Sequence, residues 1–149
     1  MDVALHALDW FESNYEPVDG LILLQPTSPF RTQRSIVSGM ELFFKNRDYP
    51  VISISSSKHH PMWTLKINGD FLEPFLEDSQ FNMRSQDLPP LFVPNGLLYI
   101  IDPSYLRSHR SFYGPQAIPL LIDSSIEALD IDTEYDFSIA QSFSHLLKA

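Results

Sequence analysis

The sequence predicts a single α/β domain, on the strength of three observations. The chain of 149 residues is long enough for one domain with its own core. Hydrophobic residues make up 44% and charged residues 19%, proportions that are ordinary for a folded protein and too apolar for a disordered one. Short apolar runs alternate with segments of helical periodicity, as in a parallel sheet covered by helices.

The first half of the chain predicts the order helix, strand, helix, strand. The first helix ends near residue 14, and its helical spacing is carried by Ala4, Leu5, Leu8 and Phe11. Residues 21–24 form a continuous apolar run after Gly20, typical of a parallel strand covered on both faces. Thr32 can cap the second helix, and residues 51–54 form the next short strand. The expected buried face of that second helix consists of Ile36, Met40, Phe43 and Phe44.

The second half predicts an antiparallel excursion before the chain returns to the sheet. Asn68-Gly69, between two apolar runs, is a strong signal for a β-hairpin. Residues 80–90 are polar and without periodicity, so they predict a loop, whereas residues 97–101 and 118–122 predict strands. Thr133 stands three residues before Asp136, a capping-box spacing that predicts the start of a last helix. The expected buried stripe of that helix is Ile139, Phe143, Leu146 and Leu147.

Charge and composition argue against several classes of function. The formal net charge of -9 argues against nucleic acid or an anionic membrane surface as the main partner. No apolar run approaches the roughly 20 residues of a membrane span, and nothing near Met1 resembles a signal peptide, so we expect a cytoplasmic protein. The chain has no cysteine, which excludes disulfides and thiolate metal sites. Between Arg110 and Lys148 lie six acidic residues and no Lys or Arg, as in a solvated acidic face or a site for a hard cation.

The segment after the first strand is the first candidate site. It has the sequence Gln-Pro-Thr-Ser-Pro-Phe-Arg at residues 25–31, at the carboxyl end of a strand, where open α/β sheets bind ligands. Gln25 can donate and accept hydrogen bonds, Ser28 offers a hydroxyl, and Arg31 can face an anion. From the residues alone, a structured turn with a helix cap explains the segment equally well.

Five motifs resemble, in order, those of the acylneuraminate cytidylyltransferases. Residues 25–31 are similar to that family's Gln-Pro-Thr-Ser-Pro-Leu-Arg, with Phe30 in place of the usual Leu. The others are His-His-Pro at 59–61, Arg-Ser-Gln-Asp-Leu-Pro at 84–89, Asn-Gly-Leu-Leu-Tyr-Ile at 95–100 and Asp-Ile-Asp-Thr-Glu at 130–134. Each motif alone is weak, but five in the family's order over nearly the whole chain form a specific match.

The resemblance implies a three-layer, Rossmann-like α/β fold of the nucleotide-diphospho-sugar transferase type. It also implies an enzyme, a cytidylyltransferase that joins a nonulosonic, sialic-acid-like sugar to CMP from CTP and releases pyrophosphate. The implied partners are CTP and an acidic nine-carbon sugar, with Mg²⁺ or Mn²⁺ as the cofactor, and the implied assembly is a homodimer. Which nonulosonic acid is used does not follow from the sequence.

Asp130 and Asp132 are the predicted metal ligands and, together with Gln25, the predicted catalytic residues. Two positions apart on an extended segment, both carboxylates face one side and can share one Mg²⁺. Without the family match, a helix cap by Asp132 or Thr133 is the favoured explanation. The resemblance makes the metal site the leading one.

The predicted sugar contacts come from several of the motifs. Asn95 and Tyr99 are four apart on a predicted strand and share a face, where an amide and a phenol can bind sugar hydroxyls and an acetamido group. Arg84 suits the sugar carboxylate, because a guanidinium binds it in bidentate fashion. The alternative interpretations are that Tyr99 is an ordinary half-buried tyrosine of a strand and that Arg84 is a solvated arginine of a loop. The predicted substrate contacts are Gln25, Ser28, Arg31, Arg84, Gln86, Asn95, Tyr99, Phe112 and Tyr113.

For two further pairs of neighbouring residues, the sequence allows more than one role. Phe112 and Tyr113 lie in a loop with Ser, Gly and Pro, where two exposed aromatics are costly unless something covers them. The resemblance implies that such a pair crosses to the sugar site of the partner in a dimer, and local packing under the loop is the alternative. His59 and His60 can touch substrate or stabilise the antiparallel excursion, and a zinc site lacks a further ligand of suitable spacing.

The resemblance covers the C-terminal two-thirds of the family fold. Family members begin with a strand and a glycine-rich loop that wraps the nucleotide phosphates, and no such segment is recognisable before residue 25. We therefore expect the principal CTP contacts to be absent and apolar surface to be exposed around residues 21–24. The alternative function is a catalytically inactive fragment that binds an acidic sugar or a partner chain.

Overall fold

The computed structural model describes residues 1–145, which form two compact units. The main unit comprises Met1–Ser55 and the described residues from Pro94 onward, and the small unit comprises Ser56–Val93. Within residues 1–145, no helix has the length and apolar character needed to cross a membrane. The elements in chain order are α1 (Asp2–Asn14), β1 (Leu21–Leu23), α2 (Gln33–Lys45), β2 (Val51–Ser56), β3 (Leu65–Asn68), β4 (Phe71–Pro74), β5 (Phe92–Ile101), α3 (Pro103–His109), β6 (Ile118–Leu121) and α4 (Glu134–Ser142).

A four-stranded mixed sheet with the strand order β1-β5-β2-β6 forms the centre of the main unit. β2 and β6 are parallel, with Val51 opposite Ile118, whereas β1 is antiparallel to β5, with Leu23 opposite Tyr99. The predicted succession of strand, helix and strand over β1, α2 and β2 is therefore present. The two strands are not neighbours, however, because β5 lies between them.

Helices cover both faces of this sheet and give three layers. From Leu98 to Ile101, successive side chains of β5 point to opposite faces, as strand geometry requires. Leu98 and Ile100 pack in a core cluster with Phe43 of α2, and Tyr99 and Ile101 pack in a second cluster with residues of α1 and α3. The second cluster is completed by Leu8, Ile52, Leu106 and Phe112. The second half of β5 is covered on both faces, and its sequence from Leu97 to Ile101 is accordingly a continuous apolar run.

The buried face of α2 differs from the predicted one. Met40 and Phe44 were expected in the core, but they are 37% and 53% exposed. The helix instead approaches the sheet closest at Gly39, where a β-carbon would lie 2.9 Å from Cδ2 of Leu98. Because a glycine has no side chain, it does not contribute to the hydrophobic pattern. The periodicity of the larger residues therefore indicated a buried face that is rotated about the helix axis relative to the observed one.

The cap of α4 follows the prediction. The Thr133 hydroxyl oxygen accepts from the Asp136 amide, and the Asp136 carboxylate accepts from the Thr133 amide, so the capping box is complete. Phe143 packs edge-on against Phe30, with ring centroids 6.4 Å apart. The remaining two members of the predicted stripe, Leu146 and Leu147, lie outside the described residues.

The small unit contains the predicted hairpin. β3 and β4 pair antiparallel, with Asn68 opposite Phe71, and Gly69 takes the positive φ of 59° that the turn requires. Apolar side chains of this hairpin are strongly exposed: Ile67 by 79%, Phe71 by 75% and Leu72 by 67%.

The expected apolar exposure around residues 21–24 is observed. β1 is an edge strand of the sheet. Ile22 and Leu24 are 38% and 40% exposed, although the sequence pattern is that of a strand covered on both faces.

Candidate functional site

The segment at residues 25–31 is tied to β5 by Arg31. Its Nε donates to the carbonyl oxygen of Leu97 and its Nη2 to the carbonyl oxygen of Gln25, both at 2.7 Å. Burial of the guanidinium lowers the pKa of Arg31 from its ordinary value. Both bonds go to the protein's own backbone, so in this structure Arg31 fixes the segment against the strand. Its predicted contact with an anion stays a prediction.

At Gly96, the side chains of two predicted catalytic residues, Gln25 and Asp130, both approach the backbone of β5. Its φ of 73° is in the left-handed region, which favours glycine. A β-carbon here would collide with Oε1 of Gln25 and would lie 3.2 Å from Oδ2 of Asp130. In the sequence, Gly96 is one member of the motif at residues 95–100, and its packing role is not apparent from that motif. The signal that could have found it is a glycine inside a predicted strand, which often marks a close approach of other groups.

The acidic segment after β6 is anchored beside the loop of residue 25. The Ile131 amide donates to the carbonyl oxygen of Thr27 at 2.9 Å. Asp130, on one side of this bond, is half-buried, and Asp132, on the other, is exposed. Within residues 1–145, no group of three or more His, Asp or Glu side chains is placed to hold a metal ion.

Tyr99 lies buried on β5 among aromatic neighbours. Its hydroxyl oxygen is 3.1 Å from that of Tyr113, and its ring centroid is 5.7 Å from that of Phe112. Burial raises the pKa of Tyr99, and the hydrogen bond with Tyr113 and the charge of Asp130 raise it further. Tyr99 therefore presents a neutral hydroxyl at neutral pH.

Phe112 and Tyr113 differ in burial within the chain. The Phe112 ring is 8% exposed and packs in the chain's own core with Tyr99 and Leu106, as the alternative of local packing under the loop describes, and its contact with a sugar stays a prediction. Tyr113 is 52% exposed, and its hydroxyl meets Tyr99 of the same chain. The neighbours of Phe112 in that core lie on β5 and α3, a contact between distant residues that composition alone does not reveal.

Three buried polar atoms in the described part of the main unit have no hydrogen-bond partner: Oγ of Ser28, Nδ2 of Asn95 and Oδ1 of Asp130. The orientation of the Asn95 amide follows from its Oδ1, which accepts from the Leu97 amide at 3.2 Å. An unmade hydrogen bond on a buried polar atom costs about 1–3 kcal/mol. Ser28, Asn95 and Asp130 lie in the loop at residues 25–31, on β5 and in the segment at residues 130–134, respectively. These three segments are held together by the hydrogen bonds of Arg31 and Thr27 and by the close approach at Gly96. Together they offer one donor, one acceptor and one hydroxyl that can do both.

The two remaining predicted site residues, Arg84 and Gln86, lie in the small unit. Arg84 is exposed and precedes a short 3₁₀ turn, Ser85–Asp87. Gln86 lies in that turn and lines a cleft of about 300 Å³ together with His60 and Trp63. The structure thus brings Gln25, Ser28, Asn95, Tyr99 and Asp130 close together in the main unit, whereas Arg84 and Gln86 belong to the small unit.

Comparison with known proteins defines the class. A crystal structure of 4-diphosphocytidyl-2C-methyl-D-erythritol synthase from Anaerococcus prevotii matches with a TM-score of 0.54 at 11% identity, over 93% of this chain and 64% of that one. The predicted α/β fold of the nucleotidyltransferase type is therefore confirmed. No family model matches the chain.

Two proteins are similar to this chain in sequence. The CMP-N,N'-diacetyllegionaminic acid synthase of Legionella pneumophila is 32% identical over 131 residues, which are 86% of this chain and 55% of that protein. The N-acylneuraminate cytidylyltransferase of Streptococcus agalactiae serotype III is 32% identical over 129 residues, or 85% of this chain and 30% of that protein. The recognition made from the five motifs is confirmed, and the chain is a relative of the acylneuraminate cytidylyltransferases. It spans about half the length of the first of these proteins and about a third of the second.

Proposed function

We propose that this chain acts in a cytidylyltransferase reaction that activates a nonulosonic, sialic-acid-like sugar with CTP. The observation that carries the proposal is the set of three buried, partnerless polar atoms on Ser28, Asn95 and Asp130. A polyhydroxylated sugar with an acyl-amino group offers both donors and acceptors to such atoms. The names of the relatives, a CMP-diacetyllegionaminic acid synthase and an N-acylneuraminate cytidylyltransferase, support the class of substrate.

The sugar contacts follow from the donor and acceptor character of each atom. Nδ2 of Asn95 donates to a carbonyl or hydroxyl oxygen of the sugar, and Oγ of Ser28 binds a hydroxyl. The neutral Tyr99 hydroxyl can either donate a hydrogen bond to the sugar or accept one from it. Gln25, whose side chain lies against Gly96, is proposed to contact the incoming sugar hydroxyl. Arg84 and Gln86 remain predictions as sugar contacts.

Asp130 and Asp132 fit Mg²⁺, or Mn²⁺, as the residues that hold it. Mg²⁺ in proteins is commonly bound by one or two carboxylates, with phosphate and water oxygens completing its shell. A pair of carboxylates, one with a buried acceptor oxygen that has no partner, suits that pattern. When bound, the ion would polarise the α-phosphate of CTP and stabilise the leaving pyrophosphate.

In the proposed reaction, the anomeric hydroxyl oxygen of the sugar forms a bond to the α-phosphorus of CTP. The bond from that phosphorus to the bridging oxygen of the β-phosphate breaks, pyrophosphate leaves, and the hydroxyl proton passes to solvent. The protein's part is to orient the hydroxyl through Gln25 and to hold the sugar through Asn95 and Ser28. Because CTP is available in the cytoplasm, we propose that compartment for the reaction.

We also propose that the hairpin of the small unit is covered by a second copy of this chain. A two-stranded sheet is marginally stable by itself in water, and the exposed side chains of Ile67, Phe71 and Leu72 are available to a partner. The homodimer implied by the resemblance would bury that surface.

Ser28→Ala tests the site, with Ser53→Ala as the matched control. Oγ of Ser28 is buried without a partner, whereas Oγ of the equally buried Ser53 accepts from the Leu98 amide at 2.8 Å. If the Ser28 hydroxyl serves a ligand, its removal leaves stability unchanged or raised and weakens binding of N-acetylneuraminic acid about tenfold. Ser53→Ala should lose about 1 kcal/mol of unfolding free energy and keep its affinity. Unchanged sugar affinity in folded Ser28→Ala contradicts the proposal.

A further inference from the structure

Glu127, in the turn after β6, is bonded to the residue that begins α2. One of its carboxylate oxygens, Oε1, accepts from the Thr32 amide at 3.1 Å and from the Thr32 hydroxyl at 2.8 Å. The two residues are 95 positions apart in the chain. Glu127 therefore attaches the turn that precedes the segment at residues 130–134 to the end of the loop at residues 25–31.

The turn itself is built without the Glu127 carboxylate. The Glu127 amide donates to Oγ of Ser124 at 3.3 Å, and the Ala128 amide donates to the carbonyl oxygen of Ser124 at 2.9 Å. Ala128 packs against the core cluster that contains Phe43. Because these contacts use backbone groups, the Ser124 hydroxyl and the Ala128 side chain, we expect the turn to keep its fold when the carboxylate is removed.

Asp130 lies between two points of attachment to residues 27–32. On one side is the Glu127 carboxylate, and on the other is the Ile131 amide, which donates to the carbonyl oxygen of Thr27 at 2.9 Å. Between these points, Oδ1 of Asp130 is buried without a hydrogen-bond partner. A buried acceptor without a partner is costly, so attachment on both sides is needed to keep it in place.

We propose that Glu127 is a positioning residue, whose carboxylate holds the segment at residues 130–134 in place and with it Asp130 and Asp132 of the proposed metal site. The inference rests on the proposed function, which assigns the metal to these two carboxylates. Groups that orient metal ligands affect metal affinity without touching the ion. The two bonds of Glu127 are partly exposed to water, so we expect about a fivefold loss of affinity when they are removed.

The competing explanation is that Glu127 only caps α2. A carboxylate that accepts from the amide at a helix N-cap stabilises the first turn of that helix, whatever the segment at residues 130–134 does. The two explanations differ in the backbone amides that loosen when the carboxylate is lost. Capping alone predicts faster hydrogen exchange at Ser35, whose amide donates to Oγ1 of Thr32. Positioning predicts faster exchange at Ile131 as well.

Glu127→Ala and Glu127→Gln make the comparison in the full 149-residue chain. Glutamine keeps an oxygen that can accept from both donors of Thr32, whereas alanine keeps none. The exchange rate of the Ile131 amide is measured by NMR relative to that of the buried Leu98 amide, so that a change in global stability cancels. This ratio should rise about fivefold in Glu127→Ala and stay unchanged in Glu127→Gln. Asp102→Ala, which removes the side-chain cap of α3, is the matched control and should leave the ratio unchanged.

Mn²⁺ alone is the second probe. Bound Mn²⁺ broadens the NMR signals of nearby protons, so a titration that follows the Asp132 amide signal gives an affinity without any turnover. Glu127→Ala should weaken this affinity about fivefold, and Glu127→Gln should retain it. An unchanged Ile131 exchange ratio in Glu127→Ala, or an unchanged Mn²⁺ affinity, would overturn the inference.

The two readouts separate this inference from the proposed function. If Mn²⁺ does not broaden the Asp132 signal of the unmodified chain, the metal site of the proposed function is contradicted, and the exchange ratio still decides whether Glu127 holds the segment. Mn²⁺ binding together with an unchanged exchange ratio in Glu127→Ala supports the metal site and overturns the role of Glu127.

Discussion

The hydroxyl oxygens of Tyr99 and Tyr113 lie 3.1 Å apart, which joins the loop after α3 to the buried centre of β5. Burial is the main cause of the raised pKa of Tyr99, and the bond with Tyr113 is the next. Tyr113→Phe should therefore lower the pKa of Tyr99 towards the ordinary value of about 10 without reaching it, because burial remains. The Cζ chemical shift of Tyr99 in a pH titration measures this change.

Tyr135→Phe is the control for that titration, since Tyr135 is 74% exposed. If Tyr99 titrates identically in Tyr113→Phe and in the unmodified chain, the hydroxyl pair contributes nothing to its pKa.

The same raised pKa makes stability fall in alkaline solution. Because the pKa of Tyr99 is higher in the folded chain than in the unfolded one, the unfolded chain loses its proton first as the pH rises. The stabilisation is fully present below about pH 10 and is lost as the pH rises above it. Urea unfolding of Tyr99→Phe from about pH 8 to 11 should show a weaker loss of stability than the unmodified chain. Parallel pH curves for the two proteins would contradict this.

Gly96→Ala and Gly69→Ala form a matched pair. Both glycines have a positive φ, of 73° and 59°, so each alanine should cost about 1–2 kcal/mol of unfolding free energy. The space around Gly69 is open, whereas a β-carbon at Gly96 would displace the Gln25 carboxamide. Only Gly96→Ala should then weaken sugar binding. Equal affinities for the two variants, measured by calorimetry, would show that the placement of Gln25 does not matter for the ligand.

Local signals in the sequence predicted the elements whose cause is local. Asn68-Gly69 specified the hairpin through the turn that a glycine at positive φ permits. Thr133 and Asp136 specified the start of α4, because a capping box involves only residues three apart. The loop at residues 25–31 and the segment at 130–134 were likewise recognised from short motifs.

Features that depend on contacts between distant residues were not predictable. The position of β5 between β1 and β2 follows from pairing over the whole sheet, which hydrophobic periodicity does not encode. The buried face of α2 is set by the close approach at Gly39, and the burial of Phe112 by its packing against residues of β5 and α3. The binding of Arg31 to two backbone carbonyls, one of them 66 residues away, belongs to the same class.

Asp136→Asn should change the response of the protein to acid. The hydrogen bond from the Thr133 hydroxyl, with those from backbone amides, lowers the pKa of Asp136 in the folded chain. The unfolded chain therefore takes up the proton first as the pH falls, so the stabilisation is present above about pH 4 and is lost through the acid range. Thermal unfolding of Asp136→Asn should depend less on pH between about 2 and 5. Asp123→Asn, exposed and outside the helix, serves as the control.

Ile67→Asp should abolish the proposed dimer. Ile67 is 79% exposed on the hairpin, so a charge at this position leaves the fold of the monomer intact. In light scattering coupled to size exclusion, the unmodified chain should show the mass of two copies and the variant that of one. Lys66→Asp alters charge at an exposed neighbour whose side chain points to the opposite face of the strand. A monomeric unmodified chain at high concentration would contradict the proposed role of the hairpin.

The most direct test of the proposed reaction is pyrophosphate release by the purified 149-residue chain with CTP, Mg²⁺ and N-acetylneuraminic acid. Asp132→Ala removes a proposed metal ligand, and Asp123→Ala, also exposed, removes a carboxylate outside the motif. The proposed function predicts release that requires CTP, metal and sugar, is lost in Asp132→Ala and persists in Asp123→Ala. A folded chain that binds the sugar but releases no pyrophosphate, or one for which Asp132→Ala makes no difference, would contradict it.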